Sequence, residues 1–148
     1  MKKTLRVAGL IIVGATTAAL AHSGVQNPTV KARMAAMGEI GKSTKVLGSM
    51  AKGEATFDAE SARKAASAIA GHAGQISVLF KEQANDPKSE ALPVIWQSYS
   101  DFLVKADALE VAANAAVTSI QAEGDLRPAL GAIGGACKGC HETYRLKK

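Results

Sequence analysis

The C-terminal end of the chain carries the residues with the clearest chemistry. Two cysteines stand three positions apart at Cys137 and Cys140, and His141 follows immediately. On a helix, positions i and i+3 share a face, so two thiols at this spacing can bond to one edge of a flat molecule. A C-x-x-C-H sequence is typical of haem c attachment, in which the thiols join the porphyrin and the imidazole binds its iron. The motif predicts one covalently attached haem c per chain, with His141 as an axial ligand of the iron.

Other uses of these three residues fit less well. A zinc site normally needs four N or S ligands, and the motif supplies three. The remaining histidines, His22 and His72, have no partner at ligand spacing, and we expect neither to bind metal. A thioredoxin-like redox pair requires alternating strands and helices. A plain disulfide is possible in an oxidising compartment but leaves His141 unexplained.

The N-terminus has the features of an export signal. Three basic residues among the first six precede an apolar run from position 7 to 20, and Ala19-Leu20-Ala21 matches an A-x-A cleavage site. We therefore expect residues 1–21 to be a cleaved signal peptide and residues 22–148 to form one haem domain in the periplasm. Glycines and threonines interrupt the apolar run and no stop-transfer pattern follows it, so we expect no stable membrane anchor.

The charge distribution argues against nucleic-acid binding. Three of the 18 Lys and Arg lie in the predicted signal, which leaves 15 positive side chains against 13 negative ones. The basic residues are scattered among acidic ones rather than gathered with aromatics. The sequence also shows no paired carboxylates or hydroxyl nucleophile arranged for catalysis, so we expect the protein not to be an enzyme.

Hydrophobic periodicity predicts an all-α chain, because apolar residues recur at helical spacing and no convincing alternating strand occurs. Alanine is abundant, and Gly and Pro fall mostly between the periodic segments. Four helices are predicted, from the N-cap Asn27 to about Ala51, from after Asp58 to about Phe80, from Pro93 to near Gly124, and from about Arg127 through Tyr144. Residues 81–92 form the longest predicted loop. Such connections favour an antiparallel, up-down-up-down four-helix bundle.

The same periodicity predicts which side chains face the interior. On the first helix the apolar or small stripe comprises Val30, Met34, Met37, Gly41, Thr44, Gly48 and Ala51. On the second helix it comprises Ala62, Ala65, Ile69, His72, Ile76 and either Leu79 or Phe80. Trp96, Tyr99 and Phe102 are expected to fill space in the core and around the haem.

With its attachment motif at the C-terminal end of an alanine-rich helical chain, the sequence resembles the class II c-type cytochromes, namely cytochrome c′ and its low-spin, methionine-ligated relatives. The resemblance covers essentially the whole of residues 22–148. It is supported by Val30 to Arg33, Leu47-Gly48, Ala51 to Glu54, Ile95-Trp96 with Phe102, and Cys137 to Arg145.

The resemblance implies a haem held between the helices, with His141 as the proximal ligand. It also implies that Arg33 lies close to a haem propionate and that Arg145 lies beside the proximal face. A guanidinium can bind a carboxylate through paired hydrogen bonds. Either arginine could instead be a solvated surface charge. The family further allows a monomer or a homodimer.

The residue four positions after Arg33 faces the distal side of the haem in this family, and here it is Met37. A thioether is a soft, neutral ligand that favours ferrous iron. With Met37 as the second axial ligand, we expect a low-spin electron-transfer protein that serves periplasmic redox partner proteins. Met34 is a minor alternative ligand, and Met50 is expected to pack in the core. If Met37 only packs, the iron is five-coordinate and open to small gases such as NO or CO.

Overall fold

A computed structural model of the protein describes residues 24–147, so the predicted signal peptide and His22 lie outside the described residues. The α-helices are α1 (Pro28–Ala51), α2 (Ala59–Gly74), α3 (Ile76–Leu79), α4 (Val94–Gln97), α5 (Tyr99–Ser119) and α6 (Leu126–Tyr144). A 3₁₀ turn at Glu123–Asp125 precedes α6. Outside the helices, the only β-type pairing over residues 24–147 is one isolated bridge between Ala91 and Arg145. The prediction of an all-α fold is confirmed.

Both ends of α1 follow the sequence prediction because they are fixed by local chemistry. The Asn27 side chain accepts hydrogen bonds from the backbone N–H groups of Thr29 and Val30, and Pro28 occupies the first helical position. At the other end, Gly53 adopts a φ of 73°, which is the left-handed conformation that glycine reaches without strain. The N–H of Gly53 then reaches the carbonyl of Met50, and that of Glu54 reaches Ser49.

The second and third predicted helices are each divided into two. α2 ends at Gly74 and α3 follows as one short turn, while the backbone at Ser98 leaves the helical region and separates α4 from α5. The side chains of Trp96 and Tyr99 form hydrogen bonds between the two regions where the helices are interrupted. The indole Nε1 of Trp96 donates to the Phe80 carbonyl at 2.9 Å, and the Tyr99 hydroxyl donates to the Ser77 carbonyl at 2.7 Å. The bends are therefore fixed by contacts between elements rather than by the local sequence.

The four long helices pack as an antiparallel bundle, as predicted. The buried face of α2 consists largely of alanines, which allows close packing against both α1 and α5. α5 also packs against α6, whereas α1 and α6 touch at fewer positions. The largest fully buried side chains are Leu47, Ile69, Ile95, Ile120, Leu126, Ile133 and Val30. Packing is therefore closest around α2 and α5 and less close between α1 and α6.

The long loop between α3 and α4 is attached at two places to the end of the bundle where α1 begins and α6 ends. Asp86 accepts hydrogen bonds from the backbone N–H groups of Gln26 and Asn27 at 2.8 and 3.0 Å. Further along, the Leu92 N–H donates to Tyr144 and the Leu146 N–H donates to Glu90. The loop thus connects the start of α1 to the end of α6. None of the helices described is both long and apolar enough to cross a membrane.

Candidate functional site

An apolar cavity of about 620 Å³ separates α1 from α6. Its volume falls within the range of about 300–1,000 Å³ that is usual for small-molecule and cofactor sites. α5 and the loop before α4 complete its walls. The alternative ligand Met34 and all six residues of the predicted haem site line this one cavity, the six being Arg33, Met37, Cys137, Cys140, His141 and Arg145.

The two cysteines lie on the cavity side of α6. Both are free thiols and both are partly buried. Burial raises the pKa of Cys137 and of Cys140, and the nearby Lys105 ammonium partly offsets this effect on the Cys140 pKa. Both side chains are therefore neutral thiols at neutral pH. Gly139 lies between them, and a Cβ there would meet no atom within 4 Å.

His141 follows in the last turn of α6 and faces the same cavity. Desolvation lowers its pKa, the Arg145 guanidinium lowers it further, and the Glu90 carboxylate acts in the opposite direction. A lowered pKa keeps the imidazole neutral near pH 7, and a neutral imidazole has the lone pair that a metal ligand needs.

The predicted inner stripe of α1 faces the cavity rather than the packed core. Val30 is buried, but Met34 and Met37 are only partly covered and line the cavity together with Gly41 and Thr44. The core positions of α1 are instead Ala36, Ile40, Leu47 and Met50. The packing role predicted for Met50 is confirmed. The predicted stripe and the observed core are offset because α1 contacts α2 on one side and the cavity on another.

Glycine makes part of the α1 wall flat. Gly38 and Gly41 both line the cavity, and a Cβ built on either would meet no atom within 4 Å. The methionines stand beside this flat strip. A planar group could therefore approach the α1 backbone closely, so the cavity fits a planar macrocycle.

Arg33 is buried, with 2% of its surface exposed, so the alternative of a solvated surface charge is wrong. Its guanidinium donates to three carbonyls, at Leu79 (2.8 Å) at the end of α3 and at Glu82 and Ala84 (3.4 Å) in the loop that follows. It also lies 4.7 Å from the ring centre of Phe80 and 5.2 Å from that of Trp96.

This environment leaves the positive charge of Arg33 without an acidic partner. No carboxylate among residues 24–147 forms an ion pair with it, and burial lowers its pKa, although an arginine stays protonated in proteins. Of the five N–H donors of a guanidinium, three are used by carbonyls. A buried cation at the cavity wall with donors remaining is suited to an anionic group such as a propionate.

The aromatic residues predicted to contact the haem have different roles. Phe102 is buried and lines the cavity, where it packs edge-on against Tyr144. Trp96 and Tyr99 do not line the cavity and instead hold the bends of the bundle. Tyr144, which sequence analysis did not assign to the site, donates its hydroxyl to Asp101 at 2.6 Å, and this bond raises the Tyr144 pKa to about 12.

Sequence analysis also missed the polar residues that the loop and α5 bring to the cavity. Lys88, Ser89 and Glu90 come from the loop, and Lys105 comes from α5. No local pattern marks them, because the loop residues reach the site only when the loop folds against the end of α6 and Lys105 only when α5 packs against α6. Taken together, two thiols on one helix face, a neutral imidazole, a thioether and a flat apolar cavity fit a covalently attached haem.

Comparison with known proteins agrees with this fit. The family model described as cytochrome c′ matches residues 28–145. Cytochrome c′ of Rhodopseudomonas palustris is 33% identical over 96% of this chain and 94% of its own length. A solved structure of a cytochrome c′ from the same species is also 33% identical and superposes with a TM-score of 0.75 over 83% of this chain and 99% of that one. Cytochrome c-554 of Cereibacter sphaeroides is 45% identical over 74% of this chain and 72% of its own. Another solved cytochrome c′, noted for a dimer with ligand-controlled dissociation, is 26% identical with a TM-score of 0.68, over 80% of this chain and 95% of that one.

Proposed function

The chain belongs to the cytochrome c′ family of monohaem c-type cytochromes, and we propose that it is a periplasmic electron carrier whose haem iron is bound by His141 and Met37. Cys137 and Cys140 are the proposed thioether attachment points. Arg33 is the proposed partner of a propionate, and Arg145 lies beside the proximal ligand.

The observation that carries this proposal is the placement of Met37 and His141 on the walls of one cavity. Met37 comes from α1 and His141 from α6, two helices that touch at fewer positions than the other adjacent pairs of long helices. A planar group between them would meet an imidazole from one side and a thioether from the other. Haem iron supplies a one-electron couple, and a methionine ligand raises its reduction potential.

The residues that line the cavity suit electron transfer rather than a reaction that makes or breaks covalent bonds. Ile40, Phe102 and Leu109 keep the interior apolar and limit the entry of water. Both proposed ligands lie on long helices packed against α2 or α5, so they keep their positions when the charge at the site changes. One electron enters from a donor protein and leaves to an acceptor, and no bond is made or broken.

The periplasmic location is proposed from the N-terminal sequence and from the attachment motif. The first 21 residues have the charge, apolar run and small-residue pattern of a cleaved signal. The proposed partners are redox proteins of the same compartment, and the protein acts as a monomer or a homodimer.

One finding favours a second candidate function, the binding of small gases such as NO or CO. The matched family model and the R. palustris relative both carry the name cytochrome c′, and this name fits the five-coordinate alternative better than the electron-transfer one. In that case Met37 lines the cavity as an apolar side chain, and the distal side stays open to a ligand. The two functions therefore differ in the role of one sulfur atom.

An optical spectrum of the purified holoprotein, oxidised and reduced, with and without CO, tests the proposal. Sharp low-spin bands that CO leaves unchanged are expected if Met37 occupies the sixth position. A high-spin spectrum that shifts when CO is added contradicts the electron-carrier proposal and supports gas binding. A protein without covalently bound haem would contradict both.

A further inference from the structure

An ion pair between the loop and the end of α6 lies at the edge of the cavity. The Arg145 guanidinium lies 2.7 Å (Nε) and 2.6 Å (Nη2) from one carboxylate oxygen of Glu90, and both residues line the cavity. The backbone reinforces this contact, because the Leu146 N–H donates to the Glu90 carbonyl at 2.8 Å and Ala91 forms a bridge with Arg145. The loop is therefore attached to α6 by main chain and side chain at the same point.

Glu90 differs from the other carboxylates of the described chain. It is the only acidic residue among those that line the cavity within residues 24–147. The acidic members of the other ion pairs over this range, Glu39, Glu54, Asp101 and Glu142, do not line the cavity. An acid at the edge of an apolar cavity is costly unless it is paired, and Arg145 supplies the pairing.

The ion pair stands next to His141. Arg145 is the C-cap of α6, and its backbone N–H donates to the His141 carbonyl at 3.2 Å. Both charged groups are close enough to His141 to act on its imidazole. His141 therefore lies near both members of an ion pair rather than near a single cation.

We propose that Glu90 is a positioning residue of the haem site, which fixes Arg145 and compensates its charge beside the proximal ligand. The inference rests on the proposed attachment of haem with His141 as proximal ligand, but not on Met37. Ferric haem carries one more positive charge than ferrous haem, so an uncompensated cation nearby favours the ferrous form. By compensating Arg145, Glu90 keeps the reduction potential lower than the guanidinium alone would set it.

Optical redox titration of the holoprotein measures this effect directly. Glu90→Gln is expected to raise the reduction potential and Arg145→Gln to lower it, while the Glu90→Gln/Arg145→Gln double variant lies closer to the unaltered protein than either single variant. The matched control is Glu54→Gln, which removes a carboxylate that pairs with Lys52 outside the cavity. It is expected to leave the potential unchanged.

The outcome that overturns the inference is a folded, haem-containing Glu90→Gln protein whose potential equals that of the Glu54→Gln control. If Glu90→Gln does not accumulate in folded form, the reduction potential of Arg145→Gln is the test. An unchanged potential in that variant overturns the inference. Absence of covalent haem from the unaltered protein would instead contradict the proposed function, so the two failures are distinguishable.

Discussion

At the scale of single residues, the sulfur of Met37 separates the two candidate functions. Met37→Leu keeps an apolar side chain of similar volume but removes the proposed ligand atom. We expect the low-spin spectrum to become high-spin and CO to bind in the reduced state. The spectra of the oxidised and reduced variant, recorded with and without CO, measure both changes.

Met34 provides the matched control because it is also partly buried and lines the same cavity from α1. Met34→Leu is expected to leave the spectrum unchanged. A normal low-spin spectrum in Met37→Leu would remove that sulfur from the coordination sphere. A high-spin spectrum in Met34→Leu alone would assign the ligand to Met34.

The sequence could predict the residues of the site that belong to local patterns. The attachment motif identified Cys137, Cys140 and His141, and the family resemblance identified Arg33 and Met37. The sequence could not predict that Arg33 donates to the carbonyls of Leu79, Glu82 and Ala84, because these lie some 50 positions further along the chain. Glu90 could not be predicted for the same reason, because its partner Arg145 lies 55 positions further along the chain.

At the scale of elements, both ends of α1 were predictable, whereas the bends were not and the helix predicted to end near Gly124 ends at Ser119. The caps of α1 at Asn27 and Gly53 depend on residues within a few positions, so the sequence contains the needed information. The break at Ser98 depends on the contact of Tyr99 with Ser77, which periodicity cannot detect. The predicted helix through Pro93 to Gly124 was therefore too continuous.

The attachment of the loop to the start of α1 gives a testable dependence on pH. Hydrogen bonds from the backbone N–H groups of Asn27, Lys88 and Gln26 hold the pKa of Asp86 below its ordinary value of 3.8. A carboxyl group with a depressed pKa contributes stability that is fully present above its ordinary pKa and is lost as the pH falls through the folded-state value. We therefore expect Asp86→Asn to be less stable than the unaltered protein at neutral pH, and the difference to shrink between about pH 5 and pH 2.

Urea unfolding followed by circular dichroism over this pH range measures the difference in free energy of unfolding. Asp107→Asn is the control, because Asp107 is exposed on α5 and accepts no hydrogen bond from a backbone N–H within residues 24–147. A constant difference between Asp86→Asn and the unaltered protein across the whole range would show that the Asp86 charge does not stabilise the loop attachment.

At the scale of the whole molecule, the bundle divides into a packed side and an open side. The alanine face of α2 fits closely between α1 and α5, and Ile69 and Ile133 are fully buried away from the cavity. Between α1 and α6, by contrast, an apolar hollow of about 620 Å³ separates the helices. The packing on this side therefore depends on the group that fills the hollow.

Replacing both proposed attachment residues tests that dependence. Cys137→Ser/Cys140→Ser is expected to lose covalently bound haem and to unfold at a lower temperature, by on the order of 10 °C, because a loss of several kcal/mol shifts the midpoint of a domain of this size by that amount. Haem staining after denaturing electrophoresis and thermal unfolding by circular dichroism measure the two effects. The single variant Cys137→Ser keeps one thioether and should retain haem stain with a smaller shift in midpoint.

Because the alanine-lined packing of α2 does not involve the cavity, the double variant should still show helical circular dichroism at low temperature. A double variant that unfolds at the same temperature as the unaltered protein would mean that the helices close the hollow without the cofactor, and that the bundle is built around its own core rather than around the haem.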